Sequence, residues 1–216
     1  MQGVSLCETG FFTSLSFVRP MKQTKTNPLA FCLRNTPFGP VIALWSVYKR
    51  EPAIDRILLS RPKISAKQAM KTFFPDSLAS SCSAINTLAD QMEAFLNGED
   101  IQFSLDIIRL DRCSAFQRKV LRAEHGIPRG RVSTYNLIAK HVNNPKGARA
   151  VGMALATNPF PIVIPCHRAI RSDGALGGYQ GGLKMKRTLL EMEGIVFRDN
   201  NHVATLDYYY EDQEPV

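Results

Sequence analysis

The residues of this chain best suited to chemistry are Cys166-His167-Arg168, which follow the apolar run Ile162-Val163-Ile164-Pro165. A thiolate is a strong, soft nucleophile, and a cysteine beside His and Arg is expected to have a lowered thiol pKa. The pair alone is weak evidence. Adjacent residues on an extended chain point to opposite sides, so His167 need not touch the sulfur, and most lone buried cysteines are inert. A glycine-rich loop follows, Gly174-Ala-Leu-Gly177-Gly178-Tyr179-Gln180-Gly181-Gly182, able to close over a ligand or to be a plain surface loop. A last helix, Leu183 to Glu193, ends at Gly194 and carries the carboxylates Glu191 and Glu193.

The other cysteines, Cys7, Cys32, Cys82 and Cys113, give an odd total of five without a CxxC pair. That is no disulfide framework, and it points to reduced thiols inside a cell. Cys7, Cys32 and Cys82 lack ligand spacing, so no metal is expected.

The elements that must position Cys166 are mostly helical. Ser114 is a helix cap before Phe116, Val120 and Leu121 at helical spacing, and that helix runs to His125. Ile127-Pro128-Arg129-Gly130 is a turn. A second helix is expected over Ser133 to Val142, a break at Asn143-Asn144-Pro145-Lys146, and a third helix over Gly147 to Ala156. Two short helices and a tight turn make a helix-turn-helix candidate, although many helical hairpins bind nothing. In the third helix Ala148, Ala150, Gly152, Ala154 and Ala156 are all small. Such a surface packs closely on a neighbouring helix or presses into a DNA groove, with Arg149 reaching phosphates or the base stack. Base-reading side chains are nearly absent, so DNA binding would show little sequence preference.

Upstream, Ala30 to Leu33, Val41 to Trp45 and Ile54 to Leu59 read as strands. Thr36-Pro-Phe-Gly-Pro40 is a turn, and Leu88 to Leu96 a helix with Leu88, Met92 and Phe95 on one face. The fold class is therefore α+β: a small strand-rich N-terminal unit with a helix, then a mostly helical domain. Residues 1–30 hold one acid, Glu8, and lack the order of charge, apolar run and cleavage site of a signal peptide, so a disordered extension is expected.

Charge is uneven. Arg112 to Arg187 contains 14 Lys or Arg against Glu124 and Asp173, a local balance of +12 within a net +8, leaving −4 for the rest. A basic domain beside a mildly acidic one suggests a polyanionic partner, or else a solvated basic face. Hydrophobic residues at 44% allow a real core. No apolar run is long enough to span a bilayer, so no membrane partner is expected. At this level a helix-turn-helix regulator with a structural cysteine remains open. So does a cysteine hydrolase, which would need an exposed Cys-His pair and an oxyanion hole.

Pro165-Cys166-His167-Arg168, preceded by Asn158-Pro-Phe-Pro-Ile-Val-Ile and followed by Gly-Gly-Tyr-Gln-Gly-Gly-Leu, resembles the active-site signature of the O6-alkylguanine-DNA alkyltransferases. Gly130-Arg-Val-Ser-Thr-Tyr135 and Asn144-Pro-Lys-Gly-Ala-Arg149-Ala-Val-Gly152 match in order and spacing, so the resemblance spans Ser114 to Val196. It implies a ribonuclease-H-like domain over 31–110, a winged helix-turn-helix-like DNA-binding and alkyl-acceptor domain over 111–198, and a tail over 199–216. It also implies repair by direct reversal: a damaged guanine is flipped out of the duplex, and Cys166 takes the alkyl group from O6 irreversibly, once per molecule and without a cofactor. O4-methylthymine is a second expected substrate. The resemblance assigns His167 as a base acting through water, Glu193 as its orienter and Tyr135 as hydroxyl donor to the base. Arg149 would fill the gap in the stack, and Asn158 would hold the turn before the cysteine. The peptide N–H groups around Tyr179 and Gln180 would bind O6, and Ala148 and Ala169 complete the DNA and substrate contacts. Some relatives carry Ser in place of Gln180. The implied partner is double-stranded DNA through its minor groove, bound by a monomer inside the cell, in cytoplasm or nucleus according to the source. Alkyltransferase-like proteins that bind lesions without transfer replace the cysteine, which this chain keeps.

Overall fold

The computed structural model describes residues 29–204, 207–213 and 215. The expected extension over 1–30, and Cys7 with it, lies almost wholly outside the described residues.

Three antiparallel strands open the fold: β1 (Ala30–Arg34), β2 (Val41–Tyr48) and β3 (Glu51–Leu59). Strand β4 (Leu78–Ala79) joins parallel to β1, giving the order β3-β2-β1-β4. Both faces of β2 are buried from Val41 to Trp45, which explains that unbroken apolar run. Val41, Ala43 and Trp45 face helix α2 (Ser83–Leu96), while Ile42 and Leu44 face the side covered by helix α1 (Ala66–Phe73). The turn between β1 and β2 is held by Thr36, whose hydroxyl donates to the Gly39 carbonyl at 2.6 Å, with Gly39 at φ +88°.

Several boundaries differ from expectation. β3 starts at Glu51 because the chain reverses through Lys49 and Arg50, both at positive φ, a hairpin turn without the usual Asn or Gly. Helix α1 is added by a capping box in which Ser65 accepts from the Gln68 N–H and the Gln68 side chain accepts from the Ser65 N–H. Helix α2 begins at Ser83, five residues before Leu88.

Helix α3 (Ala115–His125) is capped by Ser114, which accepts from the Gln117 N–H at 3.2 Å. Ser133 and Thr134, expected in the second helix, instead form strand β5, parallel to β6 (Ala169–Ile170). Thr134 then caps helix α4 (Tyr135–His141). This pairing ties the start of α4 to the segment just after Cys166. Helix α5 (Ala148–Ala156) follows, and α6 (Leu183–Met192) ends with Glu193 as its cap residue and Gly194 at φ +87°.

The two halves share one contiguous core, which runs from Val41 and Trp45 through Phe95 to Phe160, Ile164 and Cys166. Main-chain bonds reinforce it: the Ile57 N–H donates to the Pro159 carbonyl at 2.8 Å. Residues expected as a tail also pack. Tyr210 is buried, donates its hydroxyl to the Ala123 carbonyl at 2.6 Å and stacks on His141 at 3.8 Å. Ser133 donates to the Tyr209 carbonyl at 2.6 Å. No helix among the described residues is long and apolar enough to cross a membrane.

Candidate active site

The segment before Cys166 is a strained turn held from inside. Asn158 is buried. Its amide donates to the Ile164 carbonyl at 3.0 Å, and its carbonyl oxygen accepts from the Phe160 N–H at 2.9 Å. Within this loop Ile162 sits at φ +76°, a conformation that a β-branched residue adopts only at a cost of about 1–3 kcal/mol. Pro165 then starts a 3-10 turn, Cys166 to Arg168, so these residues are not on extended chain as expected. Successive side chains in such a turn fan out by about a third of a revolution. They accordingly point in three directions.

Cys166 is 5% exposed. Burial pushes its thiol up to about 12, against a downward pull from the Asn158 amide and from the Lys186 ammonium. The expected lowered pKa is thus overturned. Desolvation penalises the thiolate, and the neighbouring cation is engaged elsewhere: Arg168 donates to Glu193 from Nε at 2.9 Å and Nη2 at 2.7 Å, and from Nη1 to the Ile127 carbonyl.

His167 is completely buried, and its Nε2 lies 2.9 Å from Glu193 Oε1. Burial would raise the Glu193 carboxyl, but His167 and Arg168 outweigh it and bring the group to about 2. Burial also lowers the imidazole pKa, so His167 is neutral near pH 7. A carboxylate only accepts, so the proton of neutral His167 must sit on Nε2, leaving Nδ1 with a lone pair. Nδ1 is buried and finds no hydrogen-bond partner among the described residues. The imidazole is flanked by Phe95 and, edge-on at 6.2 Å, by Tyr179, whose enclosed hydroxyl also has no such partner.

Tyr135 is the first residue of α4. A Cβ on Gly177, at φ +67°, would lie 2.8 Å from the Tyr135 hydroxyl, so this position accepts glycine on both conformational and steric grounds. Burial, with Glu124 and Cys166 adding to it, raises the Tyr135 phenol well above its ordinary pKa. Gln180 turns its side chain inward, donating to the Asn158 carbonyl at 2.7 Å and accepting from Arg61 at 3.5 Å. It therefore links the glycine loop, the Asn158 turn and the N-terminal sheet.

Tyr135, Ala148 and Arg149 line an open cleft of about 350 Å³ together with Asn136, Gly152, Arg171 and Ser172. Cys166, His167, Glu193 and Asn158 are buried. Ala169 is also buried, with its carbonyl occupied by the Lys186 ammonium at 2.6 Å.

The roles of three charged residues of this region were missed from the sequence: Lys186, Glu124, and Arg168, which was read only as a neighbour of the thiol. Arg168 completes the Glu193 cluster. Lys186 is fully buried, bridging the Ala169 and Leu176 carbonyls, and burial lowers its amine to about 8. Glu124, equally buried, is raised by burial to about 8 despite Lys186 and Arg168 nearby. The signal was present: Lys186 falls at helical spacing with Leu189 and Leu190, and Glu124 with Val120 and Leu121.

Residues 115–195 match the profile of the 6-O-methylguanine DNA methyltransferase, DNA binding domain. A methylated-DNA--protein-cysteine methyltransferase of Methanothermobacter thermautotrophicus is 44% identical over 59% of this chain and 70% of its own length. The Methanosarcina acetivorans protein of the same name is 40% identical over 59% of this chain and 81% of its length. This chain belongs to the methylated-DNA--protein-cysteine methyltransferase family. Membership makes it an enzyme of DNA repair that binds DNA and transfers an alkyl group. A solved Mycobacterium tuberculosis OGT in complex with DNA superposes with a TM-score of 0.61 at 30% identity, covering 76% of this chain and 92% of that one. The family's architecture, a small sheet domain followed by a helical domain, is the one seen here.

Proposed function

We propose that Cys166 itself accepts the alkyl group, irreversibly and once per molecule, from O6-methylguanine and also from O4-methylthymine in double-stranded DNA. The observation that carries this reading is the imidazole next in sequence to the buried thiol: it is itself buried, its Nε2 is fixed by Glu193, and its Nδ1 is left as a lone-pair acceptor. Burial holds the Cys166 thiol far above neutral pH, so the resting group is protonated. Deprotonation must therefore accompany attack. In our reading the thiol proton passes through a water to His167 Nδ1, sulfur bonds to the alkyl carbon, and the carbon–O6 bond breaks with its electron pair leaving on the purine. Tyr135, kept protonated by its raised pKa, donates its hydroxyl to that purine. The product is a thioether, which water does not hydrolyse, and no cofactor takes part.

On this reading the lesion nucleotide is rotated through the cleft beside Tyr135, and Arg149 takes its place in the stack. Ala148 and Gly152 on α5 let the helix approach a minor groove closely and without base-reading contacts, hence with little sequence preference. The peptides of Tyr179 and Gln180, with Ala169 and Asn158 behind them, would shape the base pocket. Residues 31–110 act as a ribonuclease-H-like scaffold domain and 111–198 as the acceptor domain. Every group invoked comes from one chain, so a monomer suffices. Free cysteines and a DNA partner favour work inside the cell, in cytoplasm or nucleus.

The test is Cys166→Ser on a duplex with one O6-methylguanine. It should still bind the lesion duplex while leaving the methyl group in place. Methyl removal at the wild-type rate would overturn the assignment.

A further inference from the structure

The cleft beside Tyr135 has two walls. One is helical, with Tyr135 and Asn136 from α4 and Ala148, Arg149 and Gly152 from α5; the other is the turn after β6, with Arg171 and Ser172. The family reading uses the first wall and leaves the second without a role.

That second wall is built rather than loose. The Arg171 N–H donates to the Ala175 carbonyl at 2.8 Å, and the Gly174 N–H donates back to the Arg171 carbonyl at 3.0 Å, with Gly174 at φ +84°. Asp173 braces the turn twice. Its Oδ1 accepts from the Ala175 N–H at 3.0 Å and its Oδ2 accepts from Arg171 Nη2 at 2.8 Å. The Arg171 side chain remains 61% exposed. A guanidinium carries five N–H donors in a planar fork, so a single contact to Asp173 orients it and leaves donors for a second anion. Its positive charge also reaches the Tyr135 phenol, which places it beside the path a nucleotide would take to Cys166.

We propose that Arg171 grips a DNA phosphate flanking the extruded nucleotide, so that Arg149 and Arg171 bracket the lesion from opposite walls of the cleft. The inference rests on the reading of the cleft as the extrusion path. The ligand is phosphate because the cleft holds no carboxylate among its lining residues, which besides Arg171 are Tyr135, Asn136, Arg149, Ser172 and small residues of α5, and Asp173 is already engaged.

The experiment measures lesion-duplex affinity and single-turnover transfer for the wild type, Arg171→Ala and Arg171→Lys across a salt series. The duplexes carry a neutral methylphosphonate at each phosphate near the lesion in turn. Arg171→Ala should bind about tenfold more weakly at low salt, and its salt dependence should be shallower by about one unit of slope. Arg171→Lys should recover part of the affinity, because it keeps the charge but loses the fork. One methylphosphonate position should weaken the wild type and leave Arg171→Ala unaffected. An unchanged salt slope, or methylphosphonate penalties identical in wild type and Arg171→Ala, would overturn the proposal. So would a loss confined to particular flanking base pairs, which would mean base reading. Failure of the wild type to transfer methyl would instead sink the alkyl-acceptor reading, while the salt and methylphosphonate comparison would still decide the phosphate contact.

Discussion

Replacing Glu193 with Gln keeps the shape of the side chain and removes what the site needs from it. The carboxylate accepts three hydrogen bonds at once, from His167 Nε2 and from Arg168 Nε and Nη2, while the side chain is 1% exposed. An amide has one accepting oxygen and one donating nitrogen. If the nitrogen faces Arg168, donor meets donor. If it faces His167, Nε2 must become the acceptor and the imidazole proton moves to Nδ1, which leaves no base toward the thiol. The charge of buried Arg168 also loses its carboxylate partner and keeps only neutral acceptors, the amide oxygen and the Ile127 carbonyl. Breaking one side of such a buried pair costs about 3–5 kcal/mol, a large share of a total near 5–15 kcal/mol. Loss of the oriented base should slow single-turnover methyl transfer on the order of 10²–10⁴-fold. Stability is read by urea denaturation, and transfer by quenched mixing with a methylated duplex and protein mass. The two can also be separated by pH. His167 and Arg168 hold the Glu193 carboxyl well below its ordinary 4.5, so its contribution to stability is present above pH 4.5 and is lost as pH falls through about 2. The Glu193→Gln protein should lack that acid limb. A folded Glu193→Gln protein that transfers methyl at the wild-type rate would refute the orientation argument.

Alkylation of the unliganded protein by iodoacetamide should rise about tenfold per pH unit from 7 to 10 at Cys166 without a plateau, since thiolate accumulates only toward about 12. A plateau near neutrality, followed by peptide mapping, would show a low-pKa thiol instead. Gly177→Ala introduces a Cβ at φ +67° against the Tyr135 hydroxyl. It should cost about 1–3 kcal/mol in denaturant unfolding and slow transfer by displacing that hydroxyl. Tyr210→Ala removes a buried ring, its bond to the Ala123 carbonyl and its stack on His141, and should lower unfolding free energy by about 3–5 kcal/mol. Tyr210→Phe should lose only about 1 kcal/mol.

Legibility in the sequence followed how local the cause was. The Ser114 cap, the small-residue face of α5 and the Gly194 stop depend on neighbouring residues, and each was readable. The glycine loop also carried a local signal, although why Gly177 must be glycine depends on Tyr135 more than forty positions away. β5 was hidden because Ser133 and Thr134 are strand only through pairing with β6. The Lys49-Arg50 hairpin was hidden because its positive φ angles are imposed by strand pairing rather than by residue type. The thiol pKa was misjudged because sequence adjacency of Arg168 says nothing about its engagement with Glu193, and burial dominates the sulfur's surroundings. The segment around Tyr210 is a similar case: nothing local to that residue announces that it packs against α3.

The central claim is that one sulfur keeps what it removes. Wild-type protein is titrated with increasing equivalents of a duplex bearing a single O6-methylguanine, and the methyl groups gained per protein are read by intact mass and located by peptide mapping. The account predicts saturation at one methyl, found on the peptide holding Cys166, with an equal number of guanines restored. Continued repair beyond one equivalent, or a methyl carried on any other residue, would contradict it.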